Sequence, residues 1–375
     1  MKQVFNVNKA RKLMSEANLN AIIATAPENV FYSTGSNIIT MSLIRRLAFF
    51  ILPRDGDAVF GVNRIEMSKA KNTSWIKDIR PYAAGEWEPT KVVDFFASLI
   101  KDLGLAKARV GLDVEQFSAE YFGMLTKLVP EVKFVNDQPI FDRLRAVKTP
   151  EEVKRLSDAA MATAKAITIA FEMARVGDTE RDVARNQCDL VFEFGADNVT
   201  ACVLGSGSSN LEAHHLPVDK KLKAGELLHT DFCANFDGYG SDISRTAVVG
   251  RAPSADQKKA YDLAIKCQKN VVDAMRAGAK IMDVHNAAKK TMEAAGFEYA
   301  RPFIGHSVGV GIHDYPFVGP IHGDWVLEPN MVFEIEPGAN IGDQRVHTED
   351  TILVTGGKAK NLSQFIDTSE ILVIK

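Results

Sequence analysis

Residues 229–249, HTDFCANFDGYGSDISRTAVV, decide the reading of this chain. They form a predicted hairpin with Asp231 on one arm and Asp242 on the other. Residues 332–354, VFEIEPGANIGDQRVHTEDTILV, form a second predicted hairpin, whose arms carry Glu336 and Glu349. Between the two lies the glycine-rich run IGHSVGVGIH, residues 304–313, which presents His306. Carboxylates bridge cations and a lone imidazole terminates one side. Asp231, Asp242, His306, Glu336 and Glu349 therefore suit a site for two borderline divalent ions, with Mn, Co, Fe and Zn all compatible. Such a site binds a shared water, lowers its pKa and polarises a carbonyl for attack. The residues point to metal-dependent hydrolysis.

An isolated Asp or Glu is usually a solvated surface group. That reading weakens where an acid interrupts an apolar strand. Glu334 and Glu336 alternate with Phe333 and Ile335, so both fall on one strand face, where two carboxylates repel unless protons or a cation intervene. Asp231 follows Leu227-Leu228-His229-Thr230, a run otherwise fit for half burial. Charges in such places need partners. Cys233 shares the face of Asp231 by alternation, which would let it approach the metal, and a small buried core residue is its preferred reading.

Composition sets the wider bounds. A chain of 375 residues that is 46% hydrophobic is long enough for two domains. Its net charge of −3 leaves no electrostatic footprint for nucleic acid or an anionic membrane. Cys188, Cys202, Cys233 and Cys267 follow no zinc or disulfide spacing, which fits a reducing compartment. The N-terminus has no signal-type apolar core. The apolar run LIRRLAFFILP is short and contains Arg45 and Arg46, so it reads as a strand rather than a span. The expectation is a soluble cytoplasmic protein.

Residues 1–145 alternate helical and strand patterns: a helix over 8–18, a strand at Ala21–Ala24, and a strand pair AFFILP and DAVFGV. A helix over 90–103 and strands at VGLDVE and VKFVND follow. This is an α/β pattern without recognisable chemistry. Thr149-Pro150-Glu151-Glu152 is a capping box with proline at the first helical position, so a new domain, 146–375, opens on a helix running to about Arg175. That half repeats itself weakly. Met173-Ala174-Arg175-Val176-Gly177 is echoed by Met275-Arg276-Ala277-Gly278, and Ala234-Asn235 after Asp231 by Ala339-Asn340 after Glu336. Two related helix-plus-hairpin units set two acidic hairpins around one axis, an α+β arrangement.

Together, Asp231 to Asp242 with Gly238-Tyr239 and Ser244-Arg245-Thr246, Gly305-His306 with Gly309, Glu336-Pro337-Gly338, and Glu349-Asp350-Thr351 resemble the creatinase, prolidase and methionine aminopeptidase superfamily. The likeness is strong over residues 150–375. It extends less specifically over 1–145, where APENVFYSTG (26–35) resembles a creatinase-type N-terminal domain. The resemblance implies a pita-bread α+β catalytic domain with internal pseudo-two-fold duplication, five filled metal positions and two divalent ions. It also implies pairing as a homodimer, and a dinuclear peptidase acting on Xaa-Pro or related bonds through a shared hydroxide.

The resemblance further assigns roles. Glu336 shuttles a proton, His313, seven residues after His306, stabilises the tetrahedral intermediate, and His214, seventeen before Asp231, holds substrate. On spacing, His214 is preferred to its neighbour His215. His347 stands where many prolidases carry an arginine, and Phe317 follows Pro316 where dipeptide-cleaving members often place another. An arginine there pairs with a substrate carboxylate through its fork; Arg245 or Arg345 is the substitute cation available. These two departures keep open a second reading, hydrolysis of a small non-peptide amide or cyclic amidine. A third, a binding module without turnover, conflicts with the filled ligand set. The run GHSVGVG lacks the Gly-Lys-Ser/Thr ending of a phosphate loop and instead fits close backbone approach around His306.

Overall fold

The computed structural model describes residues 3–375 except 86, 115, 298 and 300. The chain divides into two compact units, Met1–Arg145 and Ala146–Lys375.

The N-terminal unit runs α1 (Val7–Glu16), β1 (Ala21–Ala24), α2 (Pro27–Thr34), α3 (Ile39–Ile44), β2 (Phe49–Pro53), β3 (Val59–Asn63) and α4 (Met67–Thr73). It continues through β4 (Asp78–Tyr82), α5 (Pro89–Asp102), β5 (Arg109–Leu112), α6 (Ala119–Leu128), β6 (Lys133–Asn136) and α7 (Gln138–Ala146). Its six-stranded sheet has the order β4-β3-β2-β1-β5-β6. AFFILP and DAVFGV form the antiparallel pair β2–β3 as expected. On one face, Phe49 stacks on Phe96 of α5 with ring centroids 4.3 Å apart, inside a cluster that includes Ile51, Val110 and Leu112. The strand at VGLDVE is shorter than its pattern, ending at Leu112. Asp113 leaves the ladder because its carboxylate accepts the backbone N–H groups of Thr25 (2.8 Å) and Ala26 (2.7 Å) at the end of β1.

The C-terminal unit opens on α8 (Pro150–Met173), whose Thr149–Glu152 capping box is formed in both directions. Next come α9 (Glu180–Glu193), β7 (Asn198–Ser206), β8 (Leu227–Phe236), β9 (Tyr239–Val249), α10 (Ala255–Ala274) and α11 (Ile281–Ala294). The remaining strands are β10 (Gly305–Ser307), β11 (Asp314–Phe317), β12 (Val332–Ile335), β13 (Gly338–Ile341), β14 (Gln344–His347), β15 (Asp350–Leu353), β16 (Lys360–Asn361) and β17 (Leu372–Ile374). They build two main sheets, β17-β9-β8-β7 and β11-β10-β12-β15-β16, plus the ribbon β13-β14. Ile167 and Phe171 of α8 and Val191 of α9 pack on Phe232 and Ile243 of the first sheet. Val271 of α10 and Val284 of α11 pack with Phe333, Ile335 and Ile352 of the second. A helix pair over an acidic sheet thus occurs twice, which is the duplicated pita-bread architecture.

One expectation needs correction. Residues 332–354 are not a single hairpin: β12 pairs with β15, while β13 and β14 pair only with each other. The break falls at Glu336-Pro337, where proline has no N–H to continue a ladder. Glu336 therefore stands just past the end of β12 instead of within an arm.

Candidate metal centre

The β8–β9 hairpin is closed by Asp237 (φ 50°) and Gly238 (φ 79°), both left-handed, the conformation a two-residue turn demands. That turn fixes the register. Asp231 lies opposite Ser244, and Cys233 opposite Asp242. Alternation then puts Asp231, Cys233, Asp242 and Ser244 on one face, while Phe232, Ala234 and Ile243 enter the core on the other.

His306 arrives from the second sheet, on β10 opposite Glu334 of β12. The approach is close: a Cβ on Gly305 would lie 2.0 Å from the Glu334 carbonyl oxygen, so only glycine fits beside the histidine. His306 Nδ1 donates to the carbonyl of Ser307 at 3.2 Å. That bond leaves the lone pair on Nε2, which faces Glu349 Oε1 at 3.7 Å and Asp242 Oδ2 at 4.0 Å. Glu349 is brought in by a bridge to Ser244, with its N–H on the Ser244 carbonyl at 3.0 Å.

The donor atoms fall into overlapping sets, each within 4.8 Å: Asp231, Cys233 and Asp242; Asp242, His306 and His313; His306, Glu336 and Glu349. All five expected ligands are therefore gathered in one cluster. His313, largely exposed, stands at its rim with Nε2 4.0 Å from Asp242 Oδ2 and its ring 4.0 Å from that of His306.

The cluster's electrostatics call for a cation. Burial, then Asp231 and Glu334, push Asp242 well above the carboxylate range. Burial, then Asp242 and Asp231, do the same to Glu349. Burial and then His313 push His306 down to about 4, so it is neutral and able to ligate. Glu336 differs. Burial raises it, but His347 and Arg301 outweigh that and hold it below the usual range. Arg301 Nη2 lies 2.6 Å from Glu336 Oε2, and His347 Nε2 faces the same oxygen at 3.4 Å. A buried oxygen donor set with one neutral imidazole and excess negative charge fits divalent metal.

Several expectations change here. Arg245 is no substitute clamp: it is buried, 2.7 Å from Asp350 Oδ1, and bonds the Glu349 carbonyl. It ties the Glu349–Asp350 segment to β9. His347, read from the sequence only as a departure from prolidases, is packed into the cluster: its Nδ1 meets Ser244 Oγ (3.0 Å) and His229 Nε2 (3.1 Å) while its other nitrogen faces Glu336. Cys233 is not a core residue, since its Sγ lies 3.1 Å from Asp242 Oδ1. His214, expected to hold substrate and not metal, is exposed and lies outside the donor sets, which leaves that expectation unchanged. Its neighbour His215 is bound between Glu180 and Glu212, at 3.0 Å from each. Arg301 and His229 were not expected; Arg301 sits in no motif-bearing stretch, and His229, though two residues before Asp231 on β8, gave no sign of the His347 it meets. Phe317 forms an aromatic wall with Phe303, ring centroids 5.0 Å apart, and stands 6.0 Å from both His306 and His313.

Among curated relatives, the Xaa-Pro dipeptidase of Lactobacillus helveticus is 28% identical over 377 residues, covering 99% of this chain and 100% of that protein. The Xaa-Pro dipeptidase of Pyrococcus furiosus is 28% identical over 366 residues, covering 96% and 97%. The solved prolidase from Pyrococcus furiosus matches at a TM-score of 0.82 and 26% identity, covering 95% of this chain and 100% of that one. The model of the creatinase/prolidase N-terminal domain matches residues 6–147. That of metallopeptidase family M24 matches residues 154–356. With the donor cluster inside that second span, this chain belongs to metallopeptidase family M24.

Proposed function

We propose that this metallopeptidase hydrolyses Xaa-Pro or closely related peptide bonds and works with two divalent ions held by Asp231, Asp242, His306, Glu336 and Glu349. The observation that carries the reading is the convergence of these five side chains, with Asp242 and Glu349 buried among like charges. The Xaa-Pro preference is supported by relatives that match nearly end to end and are named Xaa-Pro dipeptidases. When bound, the metal supplies an acidified water and polarises the scissile carbonyl.

The remaining roles belong to the protein. Glu336, held ionised by Arg301 and His347, accepts a proton from the attacking water on a carboxylate oxygen. Because its environment favours the charged form, it readily passes that proton to the departing nitrogen. His313 at the rim donates to the oxygen that gains charge as the carbonyl carbon becomes tetrahedral. His214, exposed on the segment after β7, contacts substrate. The family likeness extends the reading to a cytoplasmic homodimer.

A specific observation supports a second reading, a small non-peptide amide as substrate: Phe317, at the position where dipeptide-cleaving relatives often carry an arginine, lines a wall with Phe303 beside His313. A screen of metal-reconstituted protein against Xaa-Pro dipeptides, longer Xaa-Pro peptides and small amides separates the two. Turnover confined to small amides would contradict the peptidase proposal.

A further inference from the structure

The chain carries four cysteines, and two of them contrast sharply. Cys267 is fully buried in the core of the second helix pair, its thiol against the Ala288 carbonyl. Cys233 is only half-buried, and the strand that carries it turns Phe232 and Ala234, its neighbours, to the core. Its own side chain goes the other way, onto the face of Asp231. The ladder register sets it directly opposite Asp242, with Sγ 3.1 Å from Asp242 Oδ1. One atom each from Asp231, Cys233 and Asp242 lie within 4.8 Å of one another, the spacing of a shared ion. His306, Glu336 and Glu349 make another set, joined to the first through the Asp242, His306 and His313 set.

We propose that Cys233 is a sixth donor, coordinating through Sγ the metal held by Asp231 and Asp242 and releasing its thiol proton to solvent as it does so. This rests on the proposed metal centre. Its consequence is selectivity. A thiolate is a soft ligand, so an oxygen–sulphur set at this position favours Zn over Mn by more than an all-carboxylate set does. The two metal positions would then differ in which ion they prefer.

The test uses the full chain, stripped by chelation and reloaded with zinc alone, as wild type, Cys233→Ser and Cys233→Ala. Zinc-edge X-ray absorption of the wild type should show a sulphur neighbour at about 2.3 Å, lost in both variants. Cobalt-loaded wild type should show a near-ultraviolet sulphur-to-cobalt charge-transfer band that the variants lack. The ratio of zinc to manganese affinity should fall roughly tenfold or more in the variants, the scale seen when a supporting metal contact is removed. A purely nitrogen–oxygen shell around zinc in the wild type would overturn the proposal while leaving the metal centre intact. So would a sulphur signal that persists in the variants. A wild-type chain that takes up no divalent ion would overturn the metal centre itself, and the thiol's part with it.

Discussion

At the residue scale, the account turns on which side chains touch the cluster and which support it. Asp242→Ala and Glu349→Ala should each lower metal affinity, measured by equilibrium dialysis, together with rate. Normal binding of two ions in both variants would show the ligand assignment to be wrong. His347→Ala removes the ring 3.4 Å from Glu336 without removing a ligand. It should cost roughly ten- to a hundredfold in activity, as losses of outer contacts do, with both metals retained. A third change addresses substrate. With Phe317 in the wall, a free dipeptide should not be strongly preferred over its C-terminal amide. Phe317→Arg should raise the preference for the free acid by roughly ten- to a hundred-and-fiftyfold in kcat/KM, the worth of a charged hydrogen bond of about 1.5–3 kcal/mol. A large wild-type preference for the acid would identify another cation as the clamp.

At the element scale, the two acidic strand systems were legible because acids that interrupt apolar strands have few explanations. The turn between β8 and β9 then fixes the register that brings Asp231, Asp242 and Cys233 to one face. What stayed hidden has a physical reason in each case. Alternation assigned Cys233 the face of Asp231 but could not say that the ladder register sets its thiol against Asp242 of the facing strand. The break at Pro337, which divides the expected second hairpin, depends on which strands pair across the sheet. Arg301 and His229 reach Glu336 and His347 only through the folded chain. The Arg245–Asp350 pair tests the packing behind Glu349. Asp350→Ala leaves a buried guanidinium short of its charged partner and should destabilise by about 3–5 kcal/mol, read as a drop in the denaturant midpoint. An unchanged midpoint would mean that the pair does not anchor β15.

At the scale of the whole molecule, the two units differ in how they handle buried charge. In the N-terminal unit, Asp113 is pushed up to about 6 by burial, against the hydrogen bonds it accepts from Thr25, Ala26 and Asn29. Asp137 is pushed well up by burial and by Asp113. Both native pKa values exceed those of the unfolded chain, so between them the native unit binds more protons. Stability contributed by these groups is therefore greatest at low pH and falls as pH rises through that window. Asp137→Asn should flatten the decline in stability as pH rises above the ordinary carboxylate range, followed by unfolding of the N-terminal unit. Identical slopes in wild type and variant would contradict the assignment. The catalytic unit instead concentrates its carboxylates where a cation offsets them. The most direct test of that claim is turnover of an Xaa-Pro peptide measured against metal bound per chain, after chelation and stepwise reconstitution. The account predicts no turnover in the stripped protein and recovery that is complete when two divalent ions are bound. Full activity in metal-free protein would contradict it.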